Sequence, residues 1–113
     1  LRFGVAMGAK QSTFLGLAGV GDLLGTCGSP LSRNYRVGAR LARGEPLEKV
    51  LQELGSTAEG VRTTRTVWQH ASTHGISMPI TEGVYKLLEG KMPVQELLKE
   101  LMARPALSDT EWN

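Results

Sequence analysis

Apolar residues recur every three or four positions along most of this chain, and no segment alternates with period two for long enough to be a strand. Leu47, Val50, Leu51 and Leu54 fall at i, i+3, i+4 and i+7 and form one helical stripe. Val61, Thr64, Trp68 and Ala71 share a face of a second helix, with Val67 beside them. Ile80, Val84, Leu87 and Leu88 are expected inward on a third, and Val94, Leu97, Leu98, Leu101 and Met102 on a fourth. Glycine and proline punctuate these runs. Gly8, Gly44, Gly55, Gly75 and Gly90 stand where helices stop, and Pro46, Pro79 and Pro93 where they start. Towards the N-terminus, Leu1 and Val5 are one turn apart, a helix is expected over 12–18 with Ser12 as cap, and an apolar stretch follows from Val20 to Cys27. Ser32 caps a helix running to about Arg43, and Ser56 to Glu59 spells a capping box. The expected fold is all-α: six to seven short helices in one domain over 1–104, then a loose tail over 105–113.

The totals narrow the class of protein. At 113 residues, 41% hydrophobic and 21% charged, the composition is that of a globular soluble domain. A net charge of +2 does not call for nucleic acid or an anionic membrane. No apolar run approaches the ~20 residues of a membrane span. A single cysteine, Cys27, excludes an intrachain disulfide and fits a reducing, cytoplasmic compartment. Because the chain opens at Leu1 in what reads as a helix already under way, a fragment of a longer protein is expected.

Within "GLAGVGDLLGTC", residues 16–27, Asp22 is the one charged residue. An isolated carboxylate is costly to bury, so Asp22 is at a surface, paired or functional. Thr26 lies four residues on and shares its helix face. Soon after come Ser32, Arg33 and Asn34 at a helix start, where free N–H groups and a partial positive charge favour an anion. Arg33 adds a planar fork suited to phosphate and Asn34 an amide donor. A carboxylate, a hydroxyl and an anion cradle suit a small phosphorylated alcohol. The plainer alternative is a capping Ser32, a solvated Arg33 and an Asp22 paired with one of the 13 basic residues.

The segment "GLAGVGDLLGTCGSPLSRNYRVGARLARG" resembles the signature of the NAD(P)-dependent glycerol-3-phosphate dehydrogenases, in which G-[LV]-G-D-L-x-x-T-C precedes S-R-N. "STAEGVRTTRTVWQHA" is similar to that family's helix opening with E-G, and "MPITEGVYKLL" to its P-I-x-x-x-V-Y segment. The resemblance implies an all-α C-terminal domain that contacts sn-glycerol 3-phosphate or dihydroxyacetone phosphate beside NAD or NADP. It implies substrate contacts for Asp22, Thr26, Ser32, Arg33 and Asn34, and cofactor contacts for Arg33, Thr57 and Glu59. The family often has valine where this chain has Thr57. The family's base lysine precedes the region matched here, and Lys10 does not match it, so no catalytic base is expected within the chain. Nor does the chain hold a G-x-G-x-x-G after a strand, so the dinucleotide-binding Rossmann domain is expected to be a missing partner. A homodimer is the default oligomer. The other reading is a non-catalytic helical module for phosphorylated ligands or a protein partner.

The remaining polar patterns have plainer explanations. Arg33, Arg36, Arg40 and Arg43 make a basic stripe, read as a solvated or acid-paired face rather than a nucleic-acid contact. His70 and His74 are one turn apart, but without a third ligand they read as a solvent-facing pair, and no metal is expected. Glu59 combines the fourth place of the capping box with the cofactor contact implied by the resemblance. Cys27 is expected to be a small packing residue and Trp68 part of the core.

Overall fold

The computed structural model describes residues 1–54 and 59–105, and every regular element among them is helical. Eight α-helices and one π-helical segment follow in order: α1 (Arg2–Ala6), α2 (Gln11–Phe14), the π segment (Leu17–Gly21), α3 (Asp22–Cys27), α4 (Arg33–Ala42), α5 (Leu47–Leu54), α6 (Glu59–Thr73), α7 (Pro79–Leu88) and α8 (Val94–Met102). The count exceeds the six to seven expected because the N-terminal stretch is cut into short pieces. α2 begins one residue before Ser12, with Lys10 at its cap and no side-chain cap bond, so Ser12 does not cap it. The apolar stretch to Cys27 winds first as a π turn and then as α3. Four glycines read as helix stops, Gly8, Gly44, Gly75 and Gly90, have positive φ, +86° at Gly44 and +67° at Gly75, a left-handed conformation that other residues adopt at a cost. Gly55, Ser56 with its expected capping role, Thr57 and the tail over 106–113 lie outside the described residues.

The centre of the molecule is α6, which packs on α7 and α4, while α5 lies on α4 and α8 on α7. Val37 of α4, Val50 of α5, Val61 of α6 and Leu88 of α7 form the buried cluster, flanked by Leu41, Leu47, Leu51, Leu54 and Val84. Val50 is fully buried. Val50→Ala removes two methyl groups from this cluster and is expected to cost roughly 2 kcal/mol of stability, read as a lower denaturation midpoint. An unchanged midpoint would place the core elsewhere. Trp68 is half-buried against Tyr85, with ring centroids 6.1 Å apart. Ile80, Leu98 and Met102, expected inward, are exposed. On α8 the reason is its place in the stack. It packs on α7 through buried Leu97, and among the described residues nothing covers its far side.

The first third of the chain is built differently. α2, the π segment and α3 pack chiefly on one another. Among the described residues, α1 meets the later helices where Arg2 donates to the Ser77 carbonyl at 3.0 Å and the Phe3 ring meets His70 edge-on at 5.4 Å. Glycine density here reflects close packing at two points. A Cβ on Gly19 would lie 2.0 Å from the Phe14 carbonyl oxygen, and one on Gly4 would lie 2.1 Å from the Phe14 ring. No buried residue occurs among the described residues before Val37, and Leu15, Leu17, Leu23, Leu24 and Leu31 are all exposed.

Candidate functional site

Asp22 opens α3 and is exposed, which answers the cost of a carboxylate in an apolar stretch: it keeps its water. Among the described residues no cation sits within ion-pair distance of it. Thr26 follows one turn later on the same short helix. The two line an open depression of about 770 Å³, walled by Phe14, Leu15, Val20 and Leu23. This wall is largely apolar, and Asp22, Thr26 and Gln11 are its polar members.

Thr26 also borders a second depression of about 460 Å³, shared with Cys27, Ser32, Asn34 and Tyr35. Asp22 and the α4 start thus lie on either side of Thr26. The segment between them holds Gly28 and Pro30 and a turn closed by Ser32 N–H on the Ser29 carbonyl at 3.1 Å, and Ser32 leads into α4. The Ser32 hydroxyl oxygen accepts from the Tyr35 backbone N–H at 3.4 Å, the cap bond expected of it. Arg33 and Asn34 are the first two residues of α4, and both are exposed. Arg33 borders neither depression.

Asn34 makes a bond that sequence reasoning missed. Its Oδ1 accepts from the Gly60 backbone N–H at 3.1 Å, joining the α4 start to the first turn of α6. Gly60 follows Glu59, which opens α6 and is exposed. The substrate-side Asn34 and the cofactor-side Glu59 of the family resemblance are thereby brought close. A glycine in the first turn of a helix is a poor helix former, and that was the available signal of a close approach. Thr57 lies outside the described residues.

Side-chain bonding separates Arg33 from Arg36 and Arg40 of the basic stripe. Arg40 bonds both Glu45, at 2.6 Å, and Glu53, and these hydrogen bonds raise its pKa above the ordinary arginine value. The Arg40 guanidinium in turn lowers the pKa of Glu45. Arg36 donates to the Leu31 carbonyl at 3.0 Å and braces the turn before α4. The stripe therefore does structural duty at 36 and 40, while Arg33 bonds no acid among the described residues. His70 and His74 stack with centroids 4.0 Å apart, and His74 Nδ1 lies 2.9 Å from the His70 carbonyl oxygen. His70 is half-buried under Phe3 rather than solvent-facing. The described residues hold no group of three or more His, Cys, Asp or Glu that could bind a metal. Cys27 is exposed, not a packing residue of the core.

Comparison with known proteins adds the family. The family described as NAD-dependent glycerol-3-phosphate dehydrogenase C-terminus matches residues 1–99. A glycerol-3-phosphate dehydrogenase of Nostoc sp., named as using NAD(P)+, is 54% identical over 104 residues, covering 92% of this chain and 34% of that protein. Its counterpart from Leuconostoc mesenteroides is 45% identical over 106 residues, covering 94% and 32%. Among solved structures, the crystal structure of glycerol-3-phosphate dehydrogenase from Coxiella burnetii is similar, with a TM-score of 0.87 at 38% identity over 91% of this chain and 32% of that one. The chain spans about a third of the length of these relatives.

Proposed function

The chain belongs to the family of the NAD-dependent glycerol-3-phosphate dehydrogenase C-terminus, and from that membership we propose that it is the substrate domain of an enzyme interconverting sn-glycerol 3-phosphate and dihydroxyacetone phosphate. In this reading residues 1–104 act as one domain beside a dinucleotide-binding Rossmann domain, in a cytoplasmic enzyme that assembles as a homodimer. The observation that carries the reading is the shared position of Thr26. Thr26 lines both the Asp22 depression and the one lined by Ser32 and Asn34, so polar residues flank the path a three-carbon phosphate would take between them.

Each residue has a distinct task. The free N–H groups of the α4 start hold the phosphate, Asn34 donates to it, and the exposed Arg33 side chain, which borders neither depression, reaches over from the first residue of α4. Ser32 shapes that start by capping it. Thr26 hydrogen-bonds a substrate hydroxyl or Asp22. Asp22 faces the reacting carbon, whose hydroxyl must lose a proton to a base as hydride departs. That base is a lysine on a preceding helix of the complete protein, and Asp22 holds its ammonium and aims it.

The described residues fit only the edge of a dinucleotide. They contain no strand and no glycine-rich phosphate loop, while Arg33 offers a cation and Glu59 a carboxylate acceptor. NAD or NADP, when bound, takes or returns the hydride. Thr57 completes the proposed cofactor contacts. In the complete protein, glycerol 3-phosphate is expected to drive reduction of NAD+ or NADP+, followed as absorbance of the reduced nicotinamide. Absence of reduction with either dinucleotide would end the proposal.

A further inference from the structure

The contact between Asn34 and Gly60 has two parts. The Gly60 N–H demands an acceptor, so the Asn34 carboxamide must turn its oxygen there and its two N–H donors away. That orientation matters at an anion site, because a phosphate is met by donors and repelled by a carbonyl oxygen. The second part is space. A Cβ on residue 60 would lie 2.6 Å from Asn34 Oδ1, 2.8 Å from Cγ and 3.1 Å from Nδ2. The carboxamide lies across the bare Cα of Gly60, and any larger residue must displace it.

On the substrate-domain reading above, we infer that Gly60 is a positioning residue for the phosphate end of the substrate, acting through Asn34. Its N–H selects which end of the carboxamide faces the ligand, and its missing side chain makes room for that arrangement. The group that yields to a Cβ is the end of a flexible exposed side chain, so the α6 backbone can keep its course. Alanine also favours a helix more than glycine does. The cost of glycine at this place is thus offset by the placement of Asn34.

The test is a substitution cycle in the complete enzyme, with kcat, KM for glycerol 3-phosphate and thermal melting read for each variant. Gly60→Ala is expected to raise KM by about tenfold with kcat little changed, since phosphate contacts are made equally in ground and transition states. In an Asn34→Ala background the space is open, and Gly60→Ala should then change KM by less than about twofold. Asn34→Asp keeps an acceptor for the Gly60 N–H, so melting should hold, but it removes the donor and KM should rise. If Asn34 only capped α6, Asn34→Asp would leave KM unchanged. Unchanged KM in Gly60→Ala, or losses that multiply with Asn34→Ala, would overturn the inference while leaving the dehydrogenase reading in place. An inactive wild-type enzyme would remove both. Should Gly60→Ala fail to melt cooperatively, recovery of the transition in the double variant supports the clash with Asn34, and failure of both overturns it.

Discussion

Replacing Asp22 by asparagine in the complete enzyme is expected to lower kcat by roughly a hundredfold, because general acid–base assistance is worth about 10²–10⁴ and depends on a well-placed base. Asparagine keeps the size and hydrogen-bonding reach of the side chain and removes only its charge. A lysine that relied on that charge for its aim loses it, while phosphate contacts at the other end of the substrate stay. The loss should therefore appear in kcat more than in KM. Folding gives a clean control. Asp22 is exposed and makes no ion pair among the described residues, so the denaturation midpoint should hardly move, as for an ordinary surface change of about 0.5 kcal/mol or less. Wild-type turnover in this variant would defeat the role given to Asp22.

Arg33→Ala addresses the other end of the substrate. A hydrogen bond to a charged group is worth about 1.5–3 kcal/mol, which predicts a KM for glycerol 3-phosphate raised by roughly tenfold to a hundredfold. Arg33→Lys should recover only part of this, since lysine has the charge but not the planar fork. Glycerol, lacking the phosphate, supplies the comparison: its poor turnover should change far less. Equal losses with both substrates would argue against phosphate recognition by Arg33. The two nearest members of the stripe are engaged elsewhere: Arg36 bonds the Leu31 carbonyl and Arg40 is held by Glu45 and Glu53.

Much of this was readable from residue order. The helices from α4 onward follow from 3.6-residue periodicity with a cap or a proline at the start, and Ser32, Pro79 and Gly44 stand where those rules place them. Asp22, Thr26 and Ser32 were expected at one site; Asp22 and Thr26 line one depression, and Thr26 and Ser32 another. What periodicity could not supply was depth. It ranks one face of a helix above the other but does not say whether a neighbour covers that face, and so Leu98 and Met102 were expected inside and lie outside. Nor could it find the Asn34–Gly60 bond, which spans 26 positions and depends on how α4 and α6 cross. The π turn before Asp22 is a local matter: Gly19 passes the Phe14 carbonyl five residues earlier at a distance that leaves no room for a Cβ, and apolar periodicity does not show that approach.

That every buried residue described lies at or after Val37 has a thermodynamic meaning. Segments with little buried apolar surface open locally at free energies well below that of global unfolding. Residues 2–27 are such a segment, and α4 to α8 are not. Amide exchange should divide the chain along that line. A ligand that settles against Asp22 and Thr26 would then also favour the ordered arrangement of α1 to α3, and its binding would be linked to that local equilibrium. Part of the binding free energy would go into organising the helices that make the contacts, with the buried cluster of α4 to α7 as the fixed frame.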